Sequence, residues 1–88
     1  MPLRIETRVG KADCLLVLEG WLSGPEVLEF EAAASSQKPP LRIDLSRVAG
    51  ADLDGAAALH VQRNRGAKLE NAPRYIELLL ETPPQNLR

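Results

Sequence analysis

Residues 41–59 read LRIDLSRVAGADLDGAAAL, and the fold turns on the change of period inside this stretch. Leu41, Ile43 and Leu45 alternate with Arg42, Asp44 and Ser46, the period of two of a strand with one buried face. Beyond Asp52-Leu53-Asp54 the composition becomes Gly55-Ala56-Ala57-Ala58-Leu59. These small residues of good helix propensity let a backbone lie close against a sheet. A helix is expected from Gly55 to Asn64, ending near Gly66. A strand delivered straight into a helix is half of a crossover connection.

The flanking segments extend the pattern. Residues 3–9, LRIETRV, alternate strictly, with Leu3, Ile5, Thr7 and Val9 on one face. Turn-like Gly10-Lys11-Ala12-Asp13 then leads to CLLVLEG at 14–20, apolar on both faces, which predicts a hairpin and a second strand covered on both sides. Ser23-Gly24-Pro25-Glu26 has the form of a capping box. The helix it opens should run to about Ala34, with Val27, Leu28, Phe30 and Ala34 available for burial. Residues 67–71 supply a short fourth strand. Asn71 is placed to cap a last helix that buries Ile76, Leu79 and Leu80. Thr82-Pro83-Pro84 should stop this helix, leaving 83–88 as a frayed tail. The expected order is β-β-α-β-α-β-α in one domain spanning residues 1–88.

Composition limits the functions available. Eighty-eight residues allow one small core. With one Phe, one Trp and one Tyr, that core must be aliphatic. Net charge is −1 with both signs interspersed, which argues against nucleic acid as a partner. Cys14 stands alone inside an apolar run and His60 is the only histidine, so the usual Cys/His zinc sets cannot be assembled. The longest apolar run, Cys14 to Leu18, is far short of the ~20 residues that span a bilayer. The expectation is a soluble, cytoplasmic protein without membrane insertion.

Asp52 and Asp54 invite a chemical reading, which their surroundings do not support. An acid/base pair needs a pocket in which both carboxylates converge, and no aromatic or basic residue nearby suggests one. One or two carboxylates with waters can hold magnesium, but nothing supplies a phosphate cradle, since ADLDGAA holds one glycine and no lysine. No catalytic residue, metal site or cofactor is expected. Asp54, directly before Gly55, is placed to cap the helix. The basic cluster Arg63, Arg65 and Lys68 reads as a solvated helix end.

With these elements in place, the chain resembles the STAS domain family of sulfate transporters and anti-sigma factor antagonists. The likeness runs from IETRVGKADCLLVLEGWLSGPEVLEFE to YIELLLE. It is most specific in the strand ending Asp44-Leu45-Ser46, then Asp52 and Gly55, Leu59 four residues later, and Gly66 before the next strand. The resemblance implies an α/β fold, a mixed sheet with helices mainly on one side. It also implies a regulatory protein-binding module and not an enzyme. In anti-sigma factor antagonists of this family, the residue after the conserved Asp is a Ser or Thr that a partner kinase phosphorylates, blocking the complex. By position, the partner-binding surface would comprise Asp52, Leu53, Asp54 and Gly55, with Trp21 and Ser23 nearby.

The chain departs from the family at the switch itself. Leu53 occupies the phosphoacceptor position and has no hydroxyl, and Gly50 stands where a bulkier apolar residue is usual. Leu53 would supply a constitutive apolar contact to an anti-sigma factor or related kinase. A second expectation has Asp54 weakly imitating the phosphorylated state. The resemblance leaves two other roles open, an accessory subunit beside the ATPase of a lipid-trafficking ABC transporter and a small-ligand sensor for nucleotide or lipid. Longer family members continue with another strand and helix, which leaves a homodimer through an open sheet edge as one further option.

Overall fold

The computed structural model describes residues 3–81. The expected stop at Thr82-Pro83-Pro84 and the tail at 83–88 lie outside the described residues. Four strands, β1 (Arg4–Val9), β2 (Cys14–Leu22), β3 (Leu41–Ala51) and β4 (Lys68–Glu70), form one sheet in the order β1-β2-β3-β4. The β1–β2 pair is antiparallel, and β2–β3 and β3–β4 are parallel. Helices α1 (Glu26–Ser35), α2 (Leu53–Asn64) and α3 (Arg74–Glu81) alternate with the later strands, giving the β-β-α-β-α-β-α order.

All three helices share one core with the sheet. Leu16, Leu18 and Leu22 of β2 and Ile43, Leu45 and Val48 of β3 meet Phe30, Leu59 and Ile76 from the helices. Phe30 is fully buried, and removing such a side chain from water contributes roughly 1.5–3 kcal/mol. Cys14 is buried as a small hydrophobe, its Sγ 3.3 Å from Gln37 Oε1. Tyr75 ties α3 to the sheet by donating its hydroxyl to the Val48 carbonyl.

Several local expectations are corrected. β3 runs to Ala51, five residues beyond Ser46, with two register shifts against β2: the first moves the helix-side position from Leu41, Ile43 and Leu45 to Val48, and the second moves it on to Ala51. Each shift inserts a residue and flips the faces downstream. Asp44 Oδ1 accepts the Ser46 N–H at 2.9 Å, which accounts structurally for the Asp44-Leu45-Ser46 signature. That bond holds the Asp44 carboxyl below its ordinary value.

β1 buries less than its alternation implies. Leu3 is buried and Ile5 partly so, but Val9 is 77% exposed, because the helical layer packs beneath β2 and β3. The Ser23/Glu26 capping box is not made. Gly24 turns the chain at φ 58°, and the first amides of α1 donate to the carbonyls of Ser23, Gly24 and Pro25. Leu28 is exposed, not buried. Asn71 does not cap α3; it adopts a left-handed φ of 58° three residues before the helix, and the Pro73 carbonyl accepts the Ile76 and Glu77 amides.

Candidate functional site

The junction at 52–55 is organised by one carboxylate. Asp52 is the N-cap of α2: its Oδ1 accepts the Gly55 N–H at 2.8 Å, and its carbonyl accepts the Ala56 N–H at 2.9 Å. Its Oδ2 reaches across the sheet end to accept the Gly24 N–H at 3.1 Å. Its own N–H donates to the Leu22 carbonyl at 3.3 Å. Both carboxylate oxygens are thus spent on backbone amides. Asp52, not Asp54, is the cap, and α2 begins two residues earlier than its alanine run suggests. Asp54 is an exposed acid in the first turn, where its charge suits the helix dipole.

Gly55 sits where α2 is pressed onto the end of β2. A Cβ there would lie 2.2 Å from the Leu22 carbonyl oxygen and 3.2 Å from the Ala51 Cβ. With the Asp52 cap, this contact fixes how the first turn of α2 projects. The projecting residue is Leu53, 78% exposed. Leu28 on α1 is 69% exposed. Between the two helices runs an open groove of about 530 Å³ lined by Gly24, Pro25, Leu28, Asp54, Ala57 and Val61, among others. Leu53, Ala57 and Val61 stand at i, i+4 and i+8, along one side of α2. Leu53 and Leu28 project near the end where Asp52 ties the two helix starts, and half-buried Ala57 and exposed Val61 continue along α2 beside the groove.

Trp21 lies at the same end of the sheet but on the other face. Its backbone neighbour Leu22 enters the helix-side core, so Trp21 points to the side without helices. Its ring covers Gly50 of β3, where a Cβ would fall 2.4 Å from Cζ3. The missing side chain of Gly50 and the large one of Trp21 are complementary, and the indole remains 44% exposed. Ser23 is partly buried in the turn that Asp52 holds, and its carbonyl accepts the Glu26 N–H. The structure therefore brings Asp52, Leu53, Asp54, Gly55 and the Ser23 turn together, and sets Trp21 round the edge.

Sequence spacing does not single out Leu28, Ala57 or Val61 for this site. For Leu28 the signal existed: Val27, Phe30 and Ala34 form a complete i, i+3, i+7 stripe, which leaves Leu28 about 100° away.

Elsewhere, the helix-end cluster is mixed in sign. Arg63 and Lys68 border a groove that Glu77 and Glu81 also line, and Arg63 Nη2 lies 2.9 Å from His60 Nδ1. Arg42 forms a two-pronged ion pair with Glu70, 2.9 Å at each prong, and reaches Asp13 at 3.5 Å. Arg42 holds the Glu70 carboxyl below its ordinary value. Among the described residues, no group of three or more His, Cys, Asp or Glu side chains could hold a metal ion, and no helix is long and apolar enough to cross a membrane.

No protein-family model matches the chain, and no curated protein matches its sequence. Solved structures do match. A STAS domain antisigma-factor antagonist from Rhodobacter sphaeroides superposes with a TM-score of 0.62 and 22% identity, over 83% of this chain and 94% of that one. The anti-sigma factor antagonist SpoIIAA in its unphosphorylated form gives a TM-score of 0.63 and 14% identity, over 92% and 84%. A structure described as Mglu gives 0.69 and 17% over 78% of this chain, which spans only 20% of that longer one. The chain has the fold of the STAS domain.

Proposed function

We propose that this protein is a non-enzymatic regulatory module of the anti-sigma factor antagonist kind. It binds its partner through the 52–55 junction and the adjoining α1–α2 groove. The observation that carries this reading is the exposure of Leu53 at the first position of α2, on a turn anchored by the Asp52 cap and the Gly55 contact. An exposed leucine gains nothing in the free protein, while its burial in a complex contributes on the order of 1.5–3 kcal/mol. Leu28, Ala57 and Val61 extend the same apolar surface.

The position after Asp52 is a leucine, so the contact is constitutive and not gated by Ser/Thr phosphorylation there. Asp54 is relieved of capping, but its charge lies one residue beyond the position where a phosphate would sit, and Leu53 dominates the exposed surface. The partner class expected is an anti-sigma factor of the kinase-like type. The ATPase subunit of a transporter would meet the same surface, and the identity of the bound partner separates the two.

The test is to install the missing switch. Leu53→Ser, phosphorylated by a cognate kinase, should lose at least about a hundredfold in affinity for the partner captured by wild type, because the added charge of ≈ −1.5 to −2 opposes an apolar contact. Equal binding before and after phosphorylation would remove the 52–55 junction from the interface.

A further inference from the structure

The outer edge of β1 carries a pattern that the partner surface does not use. Along its inner side, β1 pairs with β2 from Arg4↔Glu19 to Val9↔Cys14. Among the described residues no strand pairs with its outer side. The hairpin turn sets which backbone groups face outward. Gly10 donates its N–H to the Asp13 carbonyl at 2.8 Å, so Gly10 aims its backbone at the β2 side. By the alternation of an antiparallel ladder, Arg8, Glu6 and Arg4 do the same. Ile5, Thr7 and Val9 therefore present their N–H and C=O groups to the outside. Their side chains lie on the helix-bearing face, where Val9 is 77% exposed. Arg4, Glu6 and Arg8 stand on the face without helices, with Arg8 Nε 3.0 Å from Glu6 Oε2.

We infer that β1 pairs antiparallel with β1 of a second copy of this chain, about a two-fold axis through the Thr7 pair. Opposed residues in an antiparallel pair share a face, so the symmetric registers centre on a single residue. Centring on Glu6 opposes Glu6 to Glu6 and Arg4 to Arg8, all like charges. Centring on Ile5 leaves Val9 uncovered and draws on Leu3, which is already buried. Centring on Thr7 sets Glu6 against Arg8 of the second copy twice over, since the axis repeats the contact. It also places Ile5 against Val9 of the second copy and pairs every outward N–H and C=O of Ile5, Thr7 and Val9. The Arg-Glu-Arg alternation is thus self-complementary in the one register that also covers the exposed valine. Opposite charges directly across a ladder favour pairing and like charges oppose it. The product is a continuous sheet of twice the strand number, with the helices of both copies on one side.

Sedimentation equilibrium on the full chain, from about 1 to 500 µM, tests this by mass action. The expected result is a rise toward twice the 9.6 kDa chain mass. Thr7→Pro deletes an outward N–H without touching the β1–β2 ladder, since proline is tolerated where an edge strand faces solvent. It should be monomeric with an unchanged circular dichroism spectrum. Glu6→Arg alone, or Arg8→Glu alone, should weaken the dimer at least about tenfold. The double exchange Glu6→Arg with Arg8→Glu should restore it; unchanged circular dichroism in both single variants separates this cross-copy contact from the Arg8–Glu6 pair within one copy. A wild-type mass of 9.6 kDa throughout would overturn the inference, as would a dimer indifferent to Thr7→Pro and to the charge exchanges. None of these variants alters the 52–55 junction, so the result is independent of the partner reading.

Discussion

The Gly24 amide donates to Asp52 Oδ2 across 3.1 Å, joining two residues 28 positions apart in the chain. This bond ties the turn entering α1 to the cap of α2, so one carboxylate is bonded at both helix starts. Leu28 and Leu53 project from the helices it joins. A rigid frame under exposed apolar side chains lowers the ordering cost of association.

Asp52→Ala removes the cap and the tie together. Loss of the cap alone should lower stability by about 1–2 kcal/mol in urea unfolding. Asp52→Asn keeps one acceptor and should recover most of the cap while losing the bond from Gly24. If alanine and wild type unfold at the same urea concentration, the carboxylate does not organise this junction.

Gly55→Ala sets two effects against each other. Helix propensity favours alanine by about 1 kcal/mol. The added Cβ would meet a backbone oxygen at 2.2 Å, which cannot swing away as a side chain can. Overpacking of this kind costs typically about 1–3 kcal/mol, so the net change should be destabilising. A raised melting temperature would contradict the close contact between α2 and the end of β2.

The chain's single tryptophan reports on Gly50. Gly50→Val would place side-chain atoms where the indole lies and should push the ring off the strand into solvent. The fluorescence maximum should move to longer wavelength with little loss of helix or strand signal. An unchanged emission spectrum would mean the indole does not rest on Gly50.

Acid should weaken the β3–β4 junction through Glu70. Arg42 holds the Glu70 carboxyl below its ordinary 4.5 in the folded protein. The unfolded chain therefore takes up the proton first as pH falls. The stabilisation is fully present above pH 4.5 and is lost as pH drops through the lower folded value. Melting temperatures of wild type and Glu70→Gln should differ at neutral pH and converge in acid. A constant difference across that range would exclude the ion pair as the cause.

Much of the fold was legible in the chain, because strict alternation at 3–9 and 41–46 and the helical stretches between strands report local periodicity. The element order and the mixed sheet followed from them. The expectations that failed depend on contacts remote in sequence. Asp52 and Asp54 are equally good caps by residue type, and only the placement of Leu22 and Gly24 selects Asp52. The pairing of Trp21 with Gly50 depends on a register that bulges in β3 shift, which alternation cannot reveal. Val9 keeps the inward parity but extends past the helical layer. At the candidate site, spacing locates the 52–55 junction, whereas the hydrophobicity of Leu28 suggests the core although its helical phase points outward.

The most direct test of the central claim, that Leu53 is a constitutive partner contact, is affinity capture from the native lysate with wild type and Leu53→Glu in parallel. Circular dichroism should confirm that both are folded. Wild type is predicted to retain one anti-sigma-like kinase or ATPase partner, and Leu53→Glu to lose it. Retention of the same partner by both proteins would contradict the claim and leave Leu53 as an exposed residue of a helix start.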